Sequence, residues 1–407
     1  MATTTPGSAQ TLGLRDLFLL RPGIAHLNHG GFGACPRPVF EAYQAWQTEL
    51  EREPTRFLQR RYEPLLEEAR QALGEYLGAR PEDVVYCTNV TLALNAVAQS
   101  LCLEPGDEVL STDLEYGAMD NMWRSVCERS GARYIRQHVR FPVASAEEVI
   151  EAIWAGRTER TRVLYLSHIT SGTAMILPVG ELVRRAREEG LVTIIDGAHA
   201  AGQVPLDLEA LGADYYAGNC HKWMMSPKGA GFLHARREAQ GRLRPLVISG
   251  GYGELPAGRS RFIAQHQWQG TRDPAAFLAV PAAIRFAQEH HWERVRPSCH
   301  ALLREARLRL QGLTERVAPV PDSPTWYAQM ARLPLPPCDV GALRSRLYDE
   351  FGIEVIVLGS PADPALRVSI QGYNSAEDVE RLLDALGTLL PEVSTQVPAD
   401  PDLPATI

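Results

Sequence analysis

The sequence has no CxxC pair, and its seven cysteines (Cys35, Cys87, Cys102, Cys127, Cys220, Cys299 and Cys338) form an odd, scattered set. That pattern argues against a disulfide frame or a cysteine zinc site, and no metal is expected. No apolar run reaches the roughly 18 residues a membrane-spanning helix requires. Positive charge is in short supply: 41 Lys and Arg against 49 Asp and Glu leave a net charge of −8. Nucleic acid, which is held by a basic face, is therefore not expected as a partner. The opening "MATTTPGSAQ" has no basic cluster ahead of an apolar stretch, so no secretory signal is read and a cytoplasmic protein is expected. No internal repeat is found.

What is present is a strand–helix alternation. At 407 residues the chain is long enough for two domains. Short β-branched and aromatic runs at 84–88, 108–112, 133–139, 162–168, 191–196, 214–219 and 229–235 read as strands. Helical stretches follow at 91–101 and near 117–130, 145–156 and 178–189. This pattern predicts an α/β fold, a large domain with a mostly parallel sheet covered on both faces. After residue 275 the style changes to long amphipathic stretches, then strands at 353–359 and 365–372 and a last helix at 375–390, a small α+β domain. The expected divisions are a loose arm (1–14), a helical segment (15–75) serving the small domain and the site, the large domain (76–275), the C-terminal domain (276–390) and a flexible tail (391–407).

In an open α/β sheet, ligands collect at the C-terminal ends of the strands. Four polar clusters fall there: "TNVT" (88–91), "SHITSG" (167–172), "DGAHAAG" (196–202) and "NCHK" (219–222). Asp196 ends an apolar strand, so its carboxylate must find a positive partner or keep its proton. Taken alone it could equally cap the following turn. Lys222, beside His221 and ahead of Pro227, Gly229 and Gly231, could by itself be a lysine snorkelling at a sheet edge. Thr91 and the amides before it open a helix, whose free N–H groups and dipole suit a phosphate. A carboxylate, an amine able to condense with an aldehyde and a phosphate cradle are what pyridoxal 5′-phosphate demands. At about 3 Å and an effective dielectric near 20, an Asp–pyridinium pair is worth roughly 5 kcal/mol before desolvation.

"DGAHAAG", "DYYAGNCHKWMMSPKGAGFLHA" and "QWQGTRDPAAF" together resemble the class V aminotransferase family, fold type I among pyridoxal phosphate enzymes. The likeness runs from "LNHGGFGACPRPVFEAYQAW" to "ALRVSIQGYNSAEDVERLLDAL". "LNHGGFGACPRPV" and "REPTRFLQRRY" look like the isopenicillin N epimerase branch, with cysteine desulfurases as close relatives. The resemblance implies a fold type I architecture with a seven-stranded sheet, and it assigns roles. Lys222 matches the Schiff-base lysine and Asp196 the partner of the pyridine nitrogen. His199 matches the position that bonds the cofactor's phenolic oxygen, and His168 a polar position near it. Tyr116 falls where an aromatic ring stacks on the cofactor. Val90, Thr91, Asn219 and His221 match phosphate contacts. Thr271 matches a residue reaching the phosphate of the partner subunit, which implies a homodimer. Arg367 matches the arginine that grips the substrate carboxylate, with Asn28 and His29 lining the same pocket. In isolation, His168, His199, His221, Tyr116 and Trp268 could each be ordinary core residues.

One departure bears on the reaction. Desulfurases carry a nucleophilic cysteine shortly before the carboxylate-binding arginine, and here "VLGSPADPALRVS" has none. The expected chemistry is proton transfer at the Cα of an amino acid, as an epimerase or a cysteine-independent β-elimination lyase, with aminotransfer third. Tyr116, His168 or His29 could supply the second acid of an epimerase. A protein of this fold that has lost catalysis is the remaining class, and retention of Lys222, Asp196 and Arg367 argues against it.

Overall fold

The computed structural model describes residues 14–394, so the expected loose arm up to residue 13 and most of the expected tail lie outside the described residues. The described residues form two compact units, residues 32–289 and residues 14–31 with 290–394.

The first unit is built on seven strands: β1 (Val84–Cys87), β2 (Glu108–Thr112), β3 (Arg133–Gln137), β4 (Thr161–Ser167), β5 (Val192–Gly197), β6 (Tyr215–Asn219) and β7 (Gly231–Ala235). Their spatial order is β1-β7-β6-β5-β4-β2-β3. All neighbours from β3 to β6 pair in parallel, whereas β7 is antiparallel to both β6 and β1. The exception has a local cause. The β6–β7 connection, residues 220–230, contains no helix and is too short for a parallel crossover, so the chain must turn back. β1, β2, β6 and β7 are buried along their whole length, as strands covered on both faces should be. The edge strand β3, "RYIRQ", is partly exposed, and its arginines discourage pairing with another chain. Helices α1 (Val90–Ser100) and α2 (Gly117–Ser130) bury Leu94, Val97, Met119 and Trp123 against Tyr165, Tyr215 and Leu233 in one core.

The second unit carries a three-stranded antiparallel sheet of β8 (Met330–Pro334), β9 (Ile356–Ser360) and β10 (Asp363–Ser369), with β10 central. Helix α3 (Trp292–Thr314) and helix α4 (Ala376–Val393) belong to the same unit. The run read as one strand at 353–359 is broken at Val355: Ile353–Glu354 pairs with Ala25–His26, and β9 pairs with β10. β8 is not foreseen, because "MARLP" sits in a proline-rich stretch with little alternation.

Candidate active site

The parallel topology aligns the ends of β2, β4, β5 and β6 along one sheet edge, and the turn between β1 and α1 opens on the same edge because β1 runs in their direction. Asp196 is the penultimate residue of β5 and is buried. One of its oxygens accepts the Ala198 N–H (2.8 Å), the other the Tyr165 hydroxyl (3.3 Å). Neither donor carries a charge. Burial raises its pKa and outweighs the Ala198 amide, the attraction of Lys222 and the Tyr165 hydroxyl, which all act the other way. A carboxylate in this position favours a cation brought close to it.

Lys222 lies in the β6–β7 connection with its Nζ 3.2 Å from His199 Nε2. Trp223 Nε1 donates to the other ring nitrogen, Nδ1, at 3.3 Å. A nitrogen that accepts is unprotonated, so the neutral imidazole carries its proton on Nε2, facing the lysine. The backbone around the lysine is held by two close approaches that only glycine permits. A Cβ at Gly33 (φ +72°) would stand 1.9 Å from the His221 carbonyl oxygen, and one at Gly202 (φ +92°) 2.4 Å from the Trp223 carbonyl carbon. Lys228 Nζ donates to the Gly33 carbonyl at 2.8 Å and pins that turn. "GGFG" is therefore more than a tight turn, because Gly33 seats directly on the lysine's backbone.

At the helix opening, Asn89 caps α1 by accepting Leu92 N–H (2.9 Å). The Val90 amide donates to Asn219 Oδ1 at 3.1 Å, so this N–H is already engaged and Asn219 fixes the helix start to β6. Thr91, one residue on, is exposed. Gly231 allows this approach, since a Cβ there would meet Asn89 Cα at 3.0 Å. His221 Nδ1 faces the Ala230 carbonyl oxygen at 3.2 Å, and His168 Nδ1 faces the Tyr216 hydroxyl at 2.9 Å. Tyr116, at the start of α2, is half exposed, Thr271 is exposed, and Trp268 stacks edge-on against Tyr62.

Burial pushes His168, His221 and His266 down to about 4, so all three are neutral at neutral pH. In the unfolded chain they take up a proton near 6.5, while the folded chain resists until about pH 4. The unfolded state thus binds more protons in that window, and stability should fall as pH drops from about 6.5 to about 4. Melting temperatures across the window should drop less in His221→Gln than in the wild type. A drop of equal size would contradict the assignment.

In the second unit, Arg367 lies in β10, buried, opposite Arg332 of β8 and Ile356 of β9. Asn28 bridges to Ser369 and donates to Glu354 (3.2 Å). His29 is fully buried, with Nδ1 3.1 Å from the Tyr373 hydroxyl and Nε2 3.3 Å from Gln371 Nε2. Cys299 and Cys338 of this unit are both buried, which raises both thiols, Cys299 to about 12.

The sequence reading does not single out Tyr165, Tyr216, Trp223 or Glu115. The first three look like strand or core aromatics. Glu115 had a signal: an acid between a buried strand end and Tyr116, in "DLEYG".

The profile of the aminotransferase class-V family matches residues 34–382. The chain belongs to this family. Among curated relatives, an isopenicillin N epimerase from Amycolatopsis lactamdurans is 41% identical over 389 residues, covering 92% of this chain and 97% of the relative. A probable chloroplastic L-cysteine desulfhydrase from Arabidopsis thaliana is 30% identical over 404 residues, covering 91% and 83%. Among solved structures, the apo cysteine desulfurase of Thermococcus onnurineus NA1 superposes with a TM-score of 0.79 at 22% identity, covering 93% of this chain and 98% of that one. The class-V chain is thus a pyridoxal phosphate enzyme of the α/β fold expected from its motifs, homologous to epimerases and to C–S lyases. No helix among the described residues is long and apolar enough to cross a membrane.

Proposed function

We propose that this class-V enzyme holds pyridoxal 5′-phosphate between Lys222 and Asp196 and moves a proton at the Cα of an amino acid, as an epimerase. The observation that carries the reading is the pairing at one sheet edge of a strand-end amine, facing the His199 ring nitrogen, with a buried carboxylate whose two hydrogen-bond donors are neutral. The group fits: the carboxylate gains from a protonated ring nitrogen, the amine can condense with an aldehyde, and the half-exposed Tyr116 offers a ring face. Val90, Thr91, Asn219 and His221 are assigned to the phosphate end, with Asn219 acting through the Val90 amide, and His168 and His199 to the phenolic oxygen. When bound, pyridoxal phosphate supplies an electron sink for a carbanion at Cα.

The chain's own groups do the rest. Lys222, freed as an amine, takes the Cα proton on one face. His199 presents its Nε2 proton beside that amine, held in this tautomer by Trp223. Asp196 stays ionised opposite the ring nitrogen. Epimerisation needs a second acid on the other face. His29 has both ring nitrogens engaged and His168 is a neutral imidazole facing Tyr216, so Tyr116 is assigned that proton. Arg367 takes the substrate carboxylate, with Asn28 and His29 shaping its surroundings. Arg367→Ala should raise KM for the amino acid about 100-fold or more, the scale of one lost charge-assisted pair, with a smaller change in kcat. An unchanged KM would remove Arg367 from this role.

A homodimer is part of the proposal, with Thr271 reaching the partner's cofactor. Its support is the exposure of Thr271 and of Leu246, Val247, Ile248 and Tyr252 in the same unit. A monomer by light scattering would remove it.

The C–S lyase reading stays second because of the desulfhydrase relative. The buried, raised thiols of Cys299 and Cys338 speak against persulfide formation. Solvent deuterium entering Cα without release of keto acid or sulfide supports the epimerase. Pyruvate with ammonia supports the lyase.

A further inference from the structure

We infer that Tyr216 is a positioning residue whose hydroxyl donates to Nδ1 of His168 and so leaves the imidazole proton on Nε2; that this proton serves an anionic oxygen of the cofactor rests on the cofactor reading above. His168 follows β4, and its backbone is held from both sides. Its amide donates to the Asp196 carbonyl (2.8 Å), and its own carbonyl accepts the Leu177 amide (2.9 Å). The residue before it, Ser167, is tied to Glu115, whose Oε2 accepts the Ser167 amide (3.0 Å) and hydroxyl (2.6 Å). With the backbone fixed, the ring is what remains to be set. The Tyr216 hydroxyl meets its Nδ1 at 2.9 Å, with the two rings crossing at 88°.

Tyr216 is itself immobilised. It is fully buried on β6, and its ring lies within 7° of parallel to Phe232 of β7, centroids 6.3 Å apart. Two glycines make room for the pair. A Cβ at Gly197 would stand 2.1 Å from Tyr216 Cε1 and 2.4 Å from its hydroxyl oxygen, and one at Gly218 2.3 Å from Phe232 Cε1. Gly197 directly follows Asp196, so the strand end that carries the carboxylate also lets the hydroxyl reach His168.

The direction of the bond follows from what each group can give. A phenol has one proton to donate, and a buried donor needs an acceptor. Asp196, the carboxylate whose charge reaches Tyr216, takes its tyrosine hydroxyl from Tyr165. Nδ1 of His168 is the acceptor that the structure gives Tyr216. A proton on Nδ1, in the other tautomer or in the imidazolium, would point at the hydroxyl and turn the phenolic proton away into packed surroundings. Nδ1 therefore accepts, and the ring keeps its proton on Nε2. His199 reaches the same state by the same means, since Trp223 donates to its Nδ1. Both imidazoles assigned to the phenolic oxygen thus present an N–H, which suits an oxygen bearing negative charge.

Nitrogen-15 NMR of histidine-labelled enzyme, with and without the cofactor, tests this. In the wild type the His168 ring, assigned by the loss of its signals in His168→Gln, should show a bare Nδ1 and a protonated Nε2. Tyr216→Phe keeps the ring and removes the hydroxyl. The share of His168 in the Nδ1–H tautomer should then rise about fivefold, the equivalent of one net hydrogen bond. In the holoenzyme the same variant should move the pH midpoint of the visible band up by about half to one unit, because a donor to the ionised oxygen is no longer held in place. A wild-type Nδ1 that carries the proton, or a tautomer share unchanged in Tyr216→Phe, overturns the inference. A band midpoint that Tyr216→Phe leaves in place overturns the role of the Nε2 proton toward the cofactor. Should Tyr216→Phe fail to fold, the wild-type spectrum decides alone. Absence of any visible band that depends on Lys222 would overturn the site reading instead, and the spectrum of the cofactor-free protein would still judge Tyr216.

Discussion

Lys222→Ala protein, purified in the presence of pyridoxal phosphate and then gel-filtered, is expected to come off colourless, whereas the wild type keeps its visible band. The amine sits in a connection fixed by Gly33 and Gly202, which press on the backbone at His221 and Trp223 and not on the side chain. Truncating the side chain therefore leaves those contacts in place, and the protein should fold normally. What is lost is the covalent tether and the base at Cα. A positioned base contributes on the order of 10²–10⁴-fold, so turnover should fall by at least that range. Weak, reversible cofactor binding should remain, since α1, Asn89 and Asn219 are untouched. Retention of the band after gel filtration would place the tether elsewhere.

Asp196→Asn carries the second large effect, and it should separate stability from activity. The carboxylate is buried, with its pKa raised by that burial, so its ionised form is disfavoured by folding. The folded pKa lies above the unfolded value. Below the unfolded value both states are protonated and the group has no effect. As pH rises through the folded pKa, stability is lost. The asparagine variant, freed of cofactor, should thus be more stable than the wild type at neutral pH and equal to it in acid, measured by thermal unfolding at both. Activity should move the other way. Removing one partner of a buried charge pair costs about 3–5 kcal/mol, roughly two to four orders of magnitude in rate if it is felt in the transition state. A variant that is no more stable at neutral pH would show that burial does not disfavour the ionised Asp196 carboxylate, and one that keeps wild-type turnover would show that no buried cation depends on it.

The α/β architecture was legible because each buried strand is a compact β-branched or aromatic run followed by a polar strand end. "EVLST" at 108–112 forms a strand with those bounds, and α2 spans the 117–130 read for it. The antiparallel turn of β7 was not read, because its cause is the length of the 220–230 connection and not any residue pattern in the strand itself. The break at Val355 escaped because Ile353–Glu354 finds its partner, Ala25–His26, far away in sequence and in a separate two-stranded sheet, and β8 escaped because its run lies among prolines with little alternation. At the site, Lys222 and Asp196 are betrayed by polarity at the end of apolar strands. Trp223, Tyr165 and Tyr216 are not, since an aromatic residue next to a strand reads as core until its polar atom is seen on His199, Asp196 or His168. The engagement of the Val90 amide by Asn219 is likewise invisible in sequence, where any helix start seems to offer all its N–H groups.

The most direct measurement is peptide mapping by mass spectrometry after borohydride reduction of the wild-type holoenzyme. The account predicts a phosphopyridoxyl group on Lys222 in the peptide that contains "HKWMMSPK". Finding the label on Lys228 instead, or on no lysine of that peptide, would contradict it.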